Sequence, residues 1–119
     1  MSAQSDTQNR CVAEYKKKYE GYTFRIDWTE SKPWNPDDES LDIILTVKSG
    51  EEYTALFVTL PFLQRMFEKN KTTGECASGA YFCMPGMIVA RQLDEPTIRA
   101  TIDDMICRLD VDEYFRKRD

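Results

Sequence analysis

Two segments of this chain carry a two-residue hydrophobic period, a third apolar segment follows them across a Gly-containing turn, and the three are bracketed by segments with a helical period. Tyr22, Phe24, Ile26 and Trp28 alternate with Thr23, Arg25 and Asp27. Leu41, Ile43, Leu45 and Val47 alternate with Asp42, Ile44, Thr46 and Lys48. After Ser49-Gly50-Glu51-Glu52 the chain returns through Tyr53 to Leu60. Side chains alternate across a strand, so this pattern demands a sheet with one buried face, and the Gly-containing turn joins the last two segments as a hairpin.

The flanking periodicity is helical. Cys11, Val12, Tyr15 and Tyr19 line one face of a helix over 8–19, with Ser5, Asp6 or Thr7 available as N-cap and Gly21 as a stop. Phe62, Leu63, Met66 and Phe67 mark a second helix that starts near Pro61 and ends before Gly74. Ile98, Ile102, Met105, Ile106 and Leu109 mark a third after Asp94-Glu95-Pro96, where acids and an early proline suit a helix start. Two short strands, about Ala80 to Met84 and Met87 to Gln92, are expected on either side of Pro85-Gly86. The order α-β-β-β-α-β-β-α predicts an α+β fold: an antiparallel sheet of about four to five strands packed with N-terminal, central and C-terminal helices.

At 119 residues, 41% hydrophobic and 31% charged, the chain has the size and composition of one globular domain, 1–119, with 1–7 expected to be disordered. The polar start lacks a basic segment followed by an apolar run, and no window reaches the ~18 apolar residues of a membrane span, so a cytoplasmic protein is expected. No Cys-x-x-Cys pair occurs among Cys11, Cys76, Cys83 and Cys107. Reduced thiols packing as small hydrophobes are the expectation, with Cys76 and Cys83 the one pair near enough in sequence to be suspect.

With no histidine, the chain lacks the commonest general base and the commonest transition-metal ligand. The carboxylate runs Asp37-Asp38-Glu39 and Asp103-Asp104 remain as acid-base or Mg²⁺ candidates, but adjacent positions diverge unless the backbone bends around an ion. Gly74, Gly79 and Gly86 fit no phosphate-cradling pattern. Lys69-Asn70-Lys71 reads as a solvated helix end before it reads as a phosphate site. Met84 and Met87 read as packing around a turn. No catalytic residue, metal or cofactor is expected, and no enzyme.

Charge points elsewhere. Twenty-one acids against 16 bases give a net charge of −5, which disfavours nucleic acid and favours a basic partner. Asp27, Glu30, Asp37, Asp38, Glu39 and Asp42 are offset locally only by Lys32, and they are interleaved with Trp28, Trp34, Pro33 and Pro36. Residues 29–40 therefore read as a long acidic loop, and loops of that length inside compact domains are often functional. Glu30, Trp34, Asp37, Asp38, Glu39 and Asp42 are the candidate partner-binding residues, since aromatic anchors ringed by carboxylates suit a surface that covers a basic site. The plainer account, in which the acids only solvate the loop, stands level with it, and Trp28 reads as core.

The wording Tyr53-Thr54-Ala55-Leu56-Phe57, Met66-Phe67-Glu68-Lys69-Asn70-Lys71-Thr72-Thr73-Gly74-Glu75-Cys76, Tyr81-Phe82 and Met87-Ile88-Val89 resembles small bacterial immunity proteins, which neutralise toxins of contact-dependent inhibition or related systems. The resemblance covers about a third of the chain and carries over no toxin-contacting residue. It implies the fold and the immunity role; joined to the acidic charge and the lack of an apolar span, it leads to the expectation of a monomer in a one-to-one complex with a basic, nuclease-like toxin domain, with no nucleic acid or membrane involved. The other expectation is a small acidic dimeric chaperone for a secreted effector, in which the apolar positions from Ile98 to Leu109 would face a second subunit.

Overall fold

The computed structural model describes residues 12–118. Residues 1–7, expected to be disordered, and the first turn of the expected 8–19 helix with Cys11 lie outside them. Helix α1 is described over 12–19 and is followed by β1 (Thr23–Asp27), β2 (Ser40–Thr46) and β3 (Glu52–Val58). Next come α2 (Leu60–Thr73), a short turn α3 (Glu75–Gly79), β4 (Met87–Val89), α4 (Glu95–Cys107), α5 (Val111–Tyr114) and β5 (Arg116–Lys117). The fold is α+β, with N-terminal, central and C-terminal helices on a five-stranded sheet. No helix among the described residues is long and apolar enough to cross a membrane.

β1, β2 and β3 form the expected antiparallel meander, with Phe24, Leu45 and Tyr53 in one cross-strand row and Ile26, Ile43 and Ala55 in the next. Those rows belong to the buried face. Leu41, Ile43, Leu45, Val47, Tyr53, Ala55 and Phe57 share one core with Tyr19 of α1, Ile98 and Ile102 of α4, Val111 of α5, and Phe115. The other face carries Arg25, Asp27, Asp42, Thr46, Thr54 and Leu56. Ile44 belongs to it too, yet is only 5% exposed, lying between Arg25 and Thr54 in register. Two strands divide the far edge of β3: β4 pairs in parallel with Leu56–Val58, and β5 pairs antiparallel with Tyr53 and Thr54.

The helices start where the sequence places caps. Thr59, wholly buried, accepts from the Phe62 amide at 3.4 Å before α2, and Asp94 accepts from Thr97 at 2.9 Å before α4. Gly74 ends α2 in the left-handed conformation, its N–H donating to the Asn70 carbonyl. Cys76, Ala77 and Ser78 then stay left-handed at φ 51, 52 and 56, which brings Gly79 against the side of α2. A Cβ at Gly79 would lie 2.6 Å from the Phe67 carbonyl oxygen.

The expected strand over about Ala80 to Met84 does not form: 81–84 carry no strand. β4 and β5 already take the β3 edge, and Phe82 turns edge-on to Phe62 of α2, 6.2 Å between centroids. The cysteines are also placed differently. Cys76, Cys83 and Cys107 are free, but Cys83 and Cys107 are exposed rather than packed.

Candidate interaction site: the acidic rim

Each end of the acidic loop is fixed to the sheet. Asp27 closes β1, and the Trp28 indole, half-buried at the edge of the core, donates to the Lys32 carbonyl at 2.7 Å, folding the first turn of the loop back on itself. The Trp34 indole donates to the Leu93 carbonyl at 2.8 Å, while the Leu93 amide donates to the Pro36 carbonyl at 2.7 Å. Leu93 is fully buried, so these reciprocal bonds tie the loop to the strand-to-helix connection ahead of α4. The two indoles meet edge-on with centroids 6.1 Å apart. Beyond Pro36, Asn35 accepts from the amides of Asp37 and Asp38, the local turn that this Asn-Pro-Asp-Asp cluster favours. Glu39 and Thr59 then exchange bonds, each amide donating to the other residue's oxygen at 3.2 Å.

The six candidate residues are not equivalent once placed. Trp34 is committed to its own chain through Leu93. Asp38 accepts from the Arg65 Nε of α2 at 2.8 Å, and Asp37 from the Gln92 side-chain amide at 2.9 Å. Glu39 is half-buried and its carboxylate accepts from the Ser40 amide at 3.2 Å. Glu30 and Asp42 are exposed and make no ion pair among the described residues. Asp27, which closes β1, behaves like them and stands directly opposite Asp42 across the β1–β2 ladder. Facing like charges on adjacent strands destabilise a sheet, so this pair costs stability in the free protein. Asp42 also borders a small groove on the outer face, floored by Leu56 and walled by Met84, Pro85 and Arg116.

The chain has no match among protein-family models, curated proteins or solved structures.

Chemically the rim offers charge and rigid shape. Among the described residues no three or more Asp, Glu or Cys side chains converge on a common point, so the carboxylates do not form a coordination shell. The ion pair on Asp38 reaches solvent, which screens it, so it orders the rim more than it stabilises the fold.

Sequence reasoning missed a second charged centre. Glu52 accepts from Arg25 at 2.6 Å, from Arg118 at 3.2 Å and from the Thr46 hydroxyl at 3.3 Å, while Glu51 pairs with Lys117 at 3.3 Å and accepts from Tyr53 at 3.1 Å. The Arg25 hydrogen bond holds the Glu52 carboxyl below the usual glutamate range, and Lys117, followed by Tyr53, does the same for Glu51. The signals were Glu51-Glu52, which read only as part of the Gly50 turn, and the basic run Arg116-Lys117-Arg118, which local periodicity does not mark and which β5 brings beside them.

Proposed function

We propose that this chain is a non-enzymatic immunity protein of the bacterial cytoplasm, which docks its acidic rim on a basic toxin domain and covers that domain's active site. The observation that carries the reading is the opposed pair Asp27 and Asp42, exposed and in no ion pair among the described residues, beside a loop pinned by Trp34 and Leu93. Carboxylates that repel one another in the free protein gain most when a partner's Arg or Lys arrives, and a loop ordered in advance loses little entropy on binding. The net charge of −5 supports steering toward a basic surface, and the resemblance of 53–89 to immunity proteins supports the toxin as partner.

The binding residues divide accordingly. Asp27, Glu30 and Asp42 meet the partner's cations first; Asp37, Asp38 and Glu39, already engaged within the chain, present a fixed flank, and Trp34 sets the loop's shape. A chaperone dimer joined through α4 has less to build on, since Ile98 and Ile102 are wholly buried in the chain's own core.

The test is co-expression with the polypeptide encoded beside this chain's gene. Growth rescue and a one-to-one complex are expected. Co-purification as a two-to-one or larger assembly with a non-toxic polypeptide would replace immunity with the chaperone reading.

A further inference from the structure

We infer that the β3 edge from Glu51 to Thr54 is a docking strand for an extended basic segment of a protein partner, and that β5 occupies it as an intramolecular stand-in that the partner displaces. β5 is only two residues long, pairing Arg116 with Thr54 and Lys117 with Tyr53. The Arg118 amide extends the ladder by donating to the Glu52 carbonyl at 2.8 Å. Beyond this short ladder, the segment is held by charge: Lys117 on Glu51 and Arg118 on Glu52. Arg116, Lys117 and Arg118 are all exposed, so lifting them withdraws no side chain from the core. The apolar anchor is one residue earlier, where Phe115 is 3% exposed and lies edge-on to Phe57. Segments with few buried contacts open at low free energy.

Charge complementarity identifies the occupant. A strand edge recognises extended backbone of any sequence, and here two adjacent glutamates select for cations, as the chain's own Arg-Lys-Arg demonstrates. β4 covers Leu56–Val58, so the exposed window suits a stretch of about three residues. Displacement also withdraws Arg116 from the groove beside Asp42, which leaves the outer sheet face more acidic where the rim begins. The inference rests on the reading of a basic protein partner, but its test needs no toxin, so the two can fail separately.

The test uses the full chain, its Lys117→Ala/Arg118→Ala variant and a blocked synthetic peptide, Tyr-Phe-Arg-Lys-Arg, matching residues 114–118. Weakening the internal competitor should raise peptide affinity about tenfold, because affinity scales with the fraction of open edge. Adding Glu51→Gln/Glu52→Gln to that variant should abolish the gain. Equal affinity for parent and variant would overturn the inference. So would a gain that survives the glutamine substitutions, or a variant that dimerises, which would make a second copy the occupant.

Discussion

Trp34 shows how one side chain can shape a surface without forming it. Its indole N–H and the Leu93 carbonyl are the inner fastening of the acidic loop. Trp34→Phe leaves a buried carbonyl without its partner and should cost roughly 1 to 3 kcal/mol in chemical denaturation; a loss near zero would mean the loop is held elsewhere. Strain at Ala77 makes the opposite case. With φ at 52 it sits where a side chain crowds the following carbonyl, so Ala77→Gly should stabilise the protein by about 0.5 to 1 kcal/mol once glycine's unfolded-state entropy is subtracted. Destabilisation on that change would show that the Ala77 side chain makes contacts outweighing the strain.

Elements were legible in the sequence to the extent that their own residues determined them. Leu41, Ile43, Leu45 and Val47 recur at every second position and the Gly50 turn sends the chain back through Tyr53 to Leu60, so the hairpin followed, and Pro61 with Gly74 bounded α2 to within a residue. Tyr81 to Met84 looked equally strand-like but found no free edge, because β3's partners are set by residues about 30 and 60 positions away, beyond the reach of any local pattern. The candidate site was half legible for a similar reason. Acidity shows in composition, whereas which acids are already satisfied depends on Arg65 and Gln92 from distant elements.

At the start of α2, Thr59→Ala removes both the cap and the acceptor for the Glu39 amide, and should cost roughly 1 to 2 kcal/mol, with Thr59→Ser restoring most of it. For β5, pH is the natural probe. Glu51 and Glu52 both have carboxyls held below their ordinary value of about 4.3, so their stabilisation is present at neutral pH and is lost as pH falls below that value and through the folded one. The protection factor of the Arg118 amide, its exchange rate corrected for the intrinsic pH dependence, should therefore fall on acidification before those of the core amides of Ile43 and Leu45. Simultaneous loss of all three would show that β5 is no separate unit.

For the whole molecule, the sheet divides structure from recognition. One face is spent on a core with α1, α4 and α5, while the other, with the rim at one end and the Glu51–Glu52 edge at the other, carries the charge. These two ends are about four residues apart along β1, or roughly 13 Å at ~3.3 Å per residue, close enough for one basic partner to engage both. The most direct measurement is the salt dependence of affinity between this chain and the polypeptide encoded beside its gene, for the parent and for Asp27→Asn/Glu30→Gln/Asp42→Asn. Immunity through the rim requires the variant to bind at least about tenfold more weakly, with a flatter salt slope. Unchanged affinity and an unchanged slope would contradict it.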